Sequence, residues 1–365
     1  MKILVLTTKY PKENETVAMM YVHTRNKYYV ANGIDVTVLN FGASQGYEID
    51  GVNVITKEEF RKSSYHYDIL VSHAPNLKHH YLFLNKYAED FGQMVFFFHG
   101  HEVLKRTDIY PPPYPYVKQS RLSFLNGIYD TFKLGVWNRF FSSNYKKCHF
   151  VFVSQWMGEM FRKYVSLDER TMEGRMSIVY NSVGSMFETL VFNGDKKKKY
   201  DFVTIRSSLD GSKYGVDIVT EIARQNPEST FCVVGKGEFF LHNPPPDNLI
   251  WVNKALDHME IIEYLNDSRC ALMPTRADAQ GVMACEMATF GIPLITSDID
   301  ICREIFRDFG NVGFINNNDK SADVLGLLSL LEKSRGEKNQ RFFASNTVGE
   351  EVKLFLTLVG MEHHG

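Results

Sequence analysis

The chain has 365 residues, a length that predicts two domains of about 170 residues each. Its 44% hydrophobic and 23% charged residues can supply buried cores, and a formal net charge of −2 gives no general attraction to nucleic acid. Five cysteines without a Cys-x-x-Cys pair, and no apolar run of about 20 residues, argue against a disulfide framework and a membrane-spanning helix and favour a cytoplasmic protein.

The first half of the chain alternates predicted strands and helices. A helix is predicted over 16–32, where Gly33 ends it, and another is opened by Ser154. Short runs of apolar, β-branched or aromatic residues predict strands at 2–7, 35–40, 68–72, 94–98, 149–153 and 177–180. This order predicts a parallel sheet with helices on both faces.

A polar segment at 193–199, which includes four consecutive lysines, is predicted to link the two halves. It is more typical of a solvated hinge than of a nucleic-acid contact. The pattern then repeats, with strands at 201–205, 230–234, 270–273 and 294–296, and helices at 216–224, 259–265, 282–289, 322–331 and 350–358.

We therefore predict an α/β fold with two Rossmann-like domains, one over 1–190 and the other over 191–345. A helix within 346–365 has no strand after it and is expected to pack back on the first domain. Two such domains facing each other would leave a ligand cleft at the carboxyl ends of their strands.

Residues 274–293, PTRADAQGVMACEMATFGIP, combine two acids with a glycine turn. Gly281 lets the backbone approach a ligand, and the N–H groups that follow it at a helix N-terminus suit a phosphate. Glu286, two turns into the helix, would reach the hydroxyls of the group that carries the phosphate. The alternative is a buried strand–helix unit in which Asp278 and Glu286 are surface acids.

Two cations follow the first strand of the second half. Arg206 comes directly after this strand, and Lys213 lies seven residues later, beyond a polar turn that contains Gly211. Two positive groups near a helix N-terminus are what a diphosphate leaving group needs, because charge builds on its oxygens as the bond breaks. The alternative is that both side chains are simply solvated at the surface.

A histidine stands at the end of a buried run in the first half. His99 follows the residues MVFFF and precedes Gly100, so it is placed to enter a cleft; His73, at the end of the strand 68–72, is similar. The alternative for both is a hydrogen-bonded core histidine. The spacing of His99, His101 and Glu102 does not support a metal site, because no distant third ligand is identifiable.

Dinucleotide-dependent chemistry is not supported. Gly235-Lys236-Gly237 lacks the third glycine of the dinucleotide fingerprint, and the first strand leads into Thr8-Lys9-Tyr10-Pro11, which contains no glycine. A Gly-x-Ser-x-Gly elbow and a Walker loop are also missing from the sequence. We therefore expect no cofactor.

Residues 110–147, here called the basic-aromatic segment, are unusual in composition. After Tyr116 they carry a single acid, Asp130, against six cations: Lys118, Arg121, Lys133, Arg139, Lys146 and Lys147. Seven aromatic residues are interleaved with them, namely Phe124, Tyr129, Phe132, Trp137, Phe140, Phe141 and Tyr145. Basic and aromatic residues at helical spacing suit contact with anionic lipid. The alternative is a domain helix whose aromatic residues face the core.

Taken together, these motifs resemble the retaining glycosyltransferases of family 4, the group 1 transferases, and the resemblance covers nearly the whole chain. Asp278 to Gly281 with Glu286 is similar to the family's Glu-Gly-Phe-Gly…Glu signature, and 288–293 to its Ala-x-Gly-x-Pro continuation. Further matches are Arg206 with 212–215, Gly235-Lys236-Gly237, Val153-Ser154, 179–181 and 99–102.

The resemblance implies a GT-B fold and a reaction that keeps the anomeric configuration without a metal. It assigns Arg206 and Lys213 to the donor diphosphate, and Glu286 to the ribose hydroxyls. It assigns Asp278 and His99 to the sugar. Gly237 and the backbone of Gly281, Val282 and Met283 complete the donor side, while Ala18 and His73 are assigned to the acceptor side.

The sequence departs from the family pattern at three places. The first acid is an aspartate, one methylene shorter than glutamate, which puts the contact with the sugar, or the sugar itself, in question. Val17-Ala18-Met19 replaces the paired glycines of the loop after the first strand. Asn181-Ser182 replaces an Asn-Gly pair.

We therefore interpret the chain as a hexosyltransferase-type enzyme. Its donor would be a UDP- or GDP-sugar, and its acceptor a glycan or lipid-linked sugar in surface polysaccharide biosynthesis. It would be cytoplasmic, with peripheral contact to the inner face of the plasma membrane left open. Two alternatives remain. One is a GT-B nucleotide-sugar epimerase, which would require additional carboxylates in the cleft. The other is a non-catalytic, transferase-like binding subunit.

Overall fold

The computed structural model describes residues 1–12, 19–63, 66–118, 125–319 and 322–362. The chain forms two compact units, of which the first contains Met1–Lys105, Gly127–Asn181 and Ala344–Gly365. The second contains Arg106–Asn126 and Ser182–Phe343. This division differs from the predicted ranges 1–190 and 191–345, because residues 106–126 belong to the second unit and the change-over lies after Asn181.

The first unit is built on an eight-stranded sheet in the order β3-β4-β2-β1-β5-β6-β7-β8. All neighbouring pairs are parallel except β3 with β4. The strands are β1 (Lys2–Thr7), β2 (Asp35–Asn40), β3 (Tyr47–Ile49), β4 (Val52–Ile55), β5 (Ile69–His73), β6 (Gln93–Phe98), β7 (Cys148–Phe152) and β8 (Met176–Ile178). The central strands read as apolar runs because helices cover them on both faces.

The hairpin of β3 and β4 at the edge of this sheet was not predicted from the sequence. Its turn is formed by Asp50 and Gly51, whose φ angles are 49° and 75°. An Asp-Gly pair is the usual two-residue hairpin turn, since both positions need positive φ. The turn signal was therefore present in the sequence, but the flanking strands have only three and four residues.

The second unit has a six-stranded, fully parallel sheet in the order β11-β10-β9-β12-β13-β14. Its strands are β9 (Tyr200–Ser208), β10 (Phe231–Lys236), β11 (Leu249–Val252), β12 (Ser268–Met273), β13 (Leu294–Ser297) and β14 (Val312–Ile315). The sequence analysis missed the edge strands β11 and β14. With four residues each, they carry too little periodicity to be recognised.

Helices connect the strands in both units. In the described residues they are α1 (Met20–Ala31), α2 (Lys57–Lys62), α3 (Leu82–Tyr87), α4 (Arg106–Ile109), α5 (Leu125–Asn144), α6 (Gln155–Val165), α7 (Glu169–Met172), α8 (Ser185–Thr189), α9 (Val216–Gln225), α10 (Phe239–His242), α11 (His258–Asn266), α12 (Val282–Phe290), α13 (Asp300–Phe306), α14 (Val324–Leu331) and α15 (Val348–Glu362). Helix α15 belongs to the first unit, where Phe355 and Leu358 lie in the core.

Helix α5 supports the core alternative for three aromatic residues of the basic-aromatic segment. Trp137, Phe140 and Phe141 on α5 are buried, and Trp137 packs on Phe96, so these aromatic residues face the core rather than a lipid surface. Lys133 is also buried, 3.1 Å from Asp130. The helical spacing was interpreted correctly as a helix, but composition alone did not show which side of it is covered. Among the described residues, no helix combines the length and apolar character needed to cross a bilayer.

Candidate functional site

Arg206 lies near the carboxyl end of β9, in the centre of the second sheet. Its Nη2 donates a hydrogen bond to the carbonyl oxygen of Pro274 at 2.7 Å. Its Nε is buried and has no hydrogen-bond partner in the described part of the chain. Burial lowers the pKa of the guanidinium, and the nearby Asp278 opposes this effect. One donor of this cation is therefore held in place by the loop after β12.

Lys213 lies in the short turn Ser212–Tyr214 between β9 and α9. Its carbonyl oxygen accepts hydrogen bonds from the backbone N–H of Arg276 at 2.7 Å and from Oγ1 of Thr275 at 3.1 Å. The loop after β12 therefore holds the backbone of Lys213 and the side chain of Arg206. Nζ of Lys213 lies 4.9 Å from the ring centre of Tyr214.

A pocket of about 220 Å³ opens between Arg206 and the start of α12, beside the turn that contains Lys213. Its lining includes Arg206, Tyr214, Asp278, Gly281 and Val282. Gly281 directly precedes the helix, and a Cβ at this position would lie 3.2 Å from Oδ2 of Asp278. The first N–H groups of α12 lack partners within the helix, which makes this end of the pocket suitable for an anion.

A small lobe of about 20 Å³ shares Arg206, Asp278 and Gly281 with this pocket. Its remaining lining is mostly apolar: Met273, Thr275, Ala284, Thr296, Ile301, Cys302, Ile305 and Phe306. The site therefore has a polar side, open to ligand, and a tight apolar side. The sequence analysis identified the polar side, because charges and glycines have recognisable spacing, but not the apolar one.

Glu286 is buried on α12, with 5% of its surface exposed. Its Oε1 accepts a hydrogen bond from the backbone N–H of Gly184 at 3.2 Å. A Cβ on Gly184 would lie 3.3 Å from the His258 ring and 3.4 Å from this oxygen, so the glycine permits the close approach. Burial raises the pKa of Glu286 to about 7, and the bond from Gly184 opposes the rise.

The raised pKa of Glu286 predicts how stability depends on pH. Between its ordinary pKa of 4.5 and about 7, the folded protein holds a proton that the unfolded chain has lost. This group therefore makes the free energy of unfolding fall as the pH rises through that window. We expect Glu286→Gln to remove up to about 3 kcal/mol of this dependence, measured by calorimetry.

The matched control for this prediction is Glu263→Gln, which changes an exposed carboxylate on α11. Its pH dependence should follow that of the unchanged protein. Equal pH dependence in the unchanged protein and Glu286→Gln would mean that Glu286 is ionised throughout this window.

Gly235 and Gly237 have a packing role. A Cβ on Gly235 would lie 2.3 Å from the carbonyl oxygen of Arg206, and one on Gly237 would lie 2.8 Å from Oδ2 of Asp210. Any side chain at Gly235 would therefore push β10 away from the strand that carries Arg206. The donor-side role assigned to Gly237 remains a prediction.

Residues 110–118 form a strap on the second unit that the sequence analysis had assigned to the first half. The Tyr114 hydroxyl donates to Asp217 at 2.7 Å, and the Tyr116 hydroxyl donates to Asp210 at 2.8 Å. The Tyr110 ring lies 5.1 Å from Nζ of Lys213. The strap therefore reaches the turn that contains Lys213. The Pro111-Pro112-Pro113 run, which favours extended chain, was the available signal.

The histidines predicted from the first half lie together in the first unit. His99 directly follows β6, and its Nε2 is 3.2 Å from Nδ1 of His73 at the end of β5. Burial lowers the pKa of both rings. Ala18 lies outside the described residues. Within those residues, no group of three His, Cys, Asp or Glu side chains could hold a metal ion.

Comparison with known proteins identifies similar sequences for the second unit. The profile of the family described as "Glycosyl transferases group 1" matches residues 187–346, which is less than half of the chain. A curated relative, the O-antigen biosynthesis glycosyltransferase WclY of Escherichia coli, is 28% identical over 137 residues. That alignment covers 36% of this chain and 37% of the relative, so the chain matches little more than a third of the relative's length.

Solved structures match both units. A sucrose-phosphate synthase from Thermosynechococcus elongatus covers 99% of both chains with a TM-score of 0.72 and 13% identity. A glycosyltransferase from Rickettsia africae covers 98% of both chains with a TM-score of 0.68 and 12% identity. Anabaena Alr3699/HepE, solved with UDP and glucose, covers 98% of this chain and 99% of its own, with a TM-score of 0.66 and 12% identity. The predicted GT-B fold, with two Rossmann-like units, is confirmed.

Proposed function

We propose that this GT-B protein is a retaining, hexosyltransferase-type glycosyltransferase of family 4. It would transfer a sugar from a nucleotide-diphosphate sugar, with UDP or GDP as the nucleotide, to a glycan or lipid-linked acceptor in surface polysaccharide biosynthesis. One observation carries this proposal: Arg206, Asp278 and the N-terminus of α12 line one pocket of the second unit, beside the turn that holds Lys213. The match of residues 187–346 to group 1 transferases supports it.

In the proposed reaction, negative charge develops on the diphosphate as its bond to the sugar breaks. Arg206, which lines the pocket, and Lys213 would bind those oxygens, and the first N–H groups of α12 would add a third contact. The Arg206 side chain and the backbone of Lys213 are already held by the loop that follows β12. Little reorganisation is then needed in the transition state, which is where such interactions accelerate the reaction.

The remaining assignments concern the sugar and the ribose. Asp278 lines both lobes of the pocket and would accept hydrogen bonds from the sugar hydroxyls. Glu286 would bind the ribose hydroxyls in its ionised form, which means that ligand binding has to displace the proton held at its raised pKa. The resemblance assigns His99 to the transferred sugar.

The experiment that tests the function measures donor binding first and transfer second. Thermal unfolding is followed with UDP-, GDP-, ADP- and CMP-sugars, because a ligand at 100 times its Kd adds roughly 2.7 kcal/mol of stability. The stabilising donor is then incubated with glycan acceptors, and the anomeric configuration of the product is read by NMR. A product of inverted configuration would refute the retaining mechanism. Conversion of the donor into its epimer would favour the epimerase, and binding without turnover the non-catalytic subunit.

We expect activity that does not depend on a divalent metal. Arg206 and Lys213 supply the positive charge that a magnesium ion provides in other transferases, and the described residues contain no metal-ligand cluster. Dialysis against EDTA should leave kcat unchanged, and addition of Mg²⁺ or Mn²⁺ afterwards should not increase it. Loss of activity that either ion restores would contradict this assignment.

Peripheral membrane contact is proposed for the part of α5 that the core does not cover. Ile128 and Phe132 lie one turn apart on this helix and are 64% and 63% exposed, with Tyr129 beside them. Arg139 and Lys146 are exposed further along the segment, while Lys147 pairs with Glu89 at 2.7 Å. Apolar side chains flanked by cations are typical of contact with an anionic lipid surface.

This contact predicts salt-sensitive co-sedimentation with anionic vesicles. Replacing Arg139, Lys146 and Lys147 with glutamine should weaken binding, since each cation near an anionic surface contributes about 1 kcal/mol. Ile128→Ser with Phe132→Ser should weaken it further. Leu330→Ser, which changes a similarly exposed side chain on α14, is the control. Equal binding of all variants would refute the contact.

A further inference from the structure

A buried hydrogen-bond network of polar side chains in the first unit begins on α15. Glu351 on this helix has no exposed surface, and Arg25 on α1 is 1% exposed. Nε of Arg25 donates to Oε1 of Glu351 at 3.0 Å, and the Tyr29 hydroxyl donates to Oε2 of the same carboxylate. The carboxylate is therefore held by a cation and a hydroxyl in a place that water does not reach.

The hydrogen-bond network continues from Arg25 to His99. Nη2 of Arg25 donates to Oδ1 of Asn181 at 2.8 Å, and Nη1 donates to the carbonyl oxygen of Tyr21 at 3.1 Å. The side chain of Asn181 is hydrogen-bonded to His99. His99 in turn meets His73 at 3.2 Å. Glu351 is thus connected to the end of β6 through one guanidinium and one amide.

Stability alone does not account for this arrangement. Burial of two charges costs desolvation energy that their attraction often fails to recover, and apolar residues of the same volume are frequently as stabilising. Helix α15 already contributes Phe355 and Leu358 to the core of the first unit. The helix does not need an ion pair to stay attached to the core. The main effect of the Arg25–Glu351 pair is therefore on the orientation of the neighbouring side chains.

We propose that Arg25 and Glu351 are positioning residues that act through Asn181 to fix the ring orientation and tautomer of His99. The proposal rests on the proposed function, in which His99 contacts the transferred sugar. The planar guanidinium of Arg25 bonds Glu351 and Asn181 at once, which a lysine cannot do in the same geometry. With Oδ1 of Asn181 held by Arg25, the amide cannot flip, and the group that it presents to His99 is fixed.

The surroundings of His99 favour a neutral imidazole held in a single tautomer. Burial lowers the pKa of His99, the charge of Arg25 lowers it further, and the bond with Asn181 opposes both. On the remaining sides His99 faces His73, the Tyr21 ring at 4.7 Å and the chain at Gly100, whose N–H donates to Glu102 at 2.6 Å. Between His73 and His99 one nitrogen donates and the other accepts, so fixing one tautomer fixes the other.

The first arm of the test observes the ring directly and needs no substrate. Full-length protein labelled with 15N-histidine is compared with Arg25→Lys and Glu351→Gln, and ring signals are assigned with His99→Gln and His73→Gln. We expect one neutral tautomer of His99 in the unchanged protein from about pH 5 to 8, and mixed tautomers or a titrating ring in both variants. Lys353→Gln, on the exposed side of α15, should match the unchanged protein.

The second arm measures steady-state kinetics of the same variants with the stabilising nucleotide sugar. A mispositioned His99 should lower kcat by about 10-fold and leave the donor KM within about twofold, because the donor pocket belongs to the second unit. Arg25→Lys conserves the charge, so it stays informative if Glu351→Gln does not fold.

The outcomes separate the two proposals. Unchanged ring signals in Arg25→Lys, or unchanged kcat in an active enzyme, would overturn the positioning role. In a further outcome, the His99 ring is fixed in the unchanged protein and free in the variants, although the protein transfers no sugar. That result would uphold the positioning of His99 and overturn the proposed function instead.

Discussion

Replacing Arg206 or Lys213 with alanine is expected to lower kcat by roughly 100-fold or more in a protein that remains folded. Both cations are proposed to bind the leaving diphosphate, where their effect is greatest in the transition state. Arg206 is held by Pro274 at 2.7 Å, and the Lys213 turn is held by Arg276 and Thr275. The bonds to the Lys213 carbonyl involve the main chain and would remain in Lys213→Ala, whereas Arg206→Ala removes one side-chain hydrogen bond to Pro274, so the main loss should appear in turnover.

Steady-state kinetics on variants that keep the thermal midpoint of the unchanged protein provides the measurement. Arg224→Ala is the matched control, because this arginine lies in the same unit with a surface partner, Glu221, and lines neither lobe of the pocket. Near-normal kcat in both Arg206→Ala and Lys213→Ala would refute the phosphate assignment. A rise in donor KM alone would mean that the cations bind the donor equally strongly in the ground state and the transition state.

The second large effect concerns stability. Trp137→Ala should lower the free energy of unfolding of the first unit by about 3–5 kcal/mol, the usual loss for a fully buried aromatic side chain. Trp137 has no exposed surface, and its ring stacks on Phe141 at 5.2 Å and meets Phe96 edge-on. Removing the indole would leave a cavity between α5 and β6.

Denaturant unfolding followed by circular dichroism measures this loss. Phe132→Ala is the control on the same helix, because its side chain is mostly exposed and its removal should change stability by less than about 0.5 kcal/mol. Similar losses in the two variants would mean that the exposed side of α5 is covered in solution.

The elements of both sheets could be predicted wherever a strand is a long apolar run. Strands such as β6 and β12 are buried on both faces, so nearly every residue is apolar and the run is unmistakable. The short edge strands β3, β11 and β14 could not be predicted in the same way. Helical periodicity located α5 but not its buried side, since a helix of mixed basic and aromatic residues has two plausible faces until its neighbours are known.

The candidate site was predictable to the extent that its chemistry depends on local spacing. Asp278 and Gly281 are close in sequence, and Arg206 follows a recognisable strand. The strap could not be predicted, because Tyr114 and Tyr116 bond partners 103 and 94 residues away. The burial of Glu286 beneath Gly184, 102 residues earlier, is likewise a property of the folded unit alone.

The pairing of Arg25 with Glu351 has a consequence for synthesis on the ribosome. These residues are 326 positions apart, so at about 5–20 residues per second roughly 15 to 65 s separate their emergence. During that interval Arg25 has no Glu351 to neutralise it, and the core of the first unit lacks Phe355 and Leu358. The second unit, complete once Phe343 has emerged, can finish folding before the first. The amino-terminal part of the nascent chain therefore keeps apolar core surface uncovered until α15 has been made.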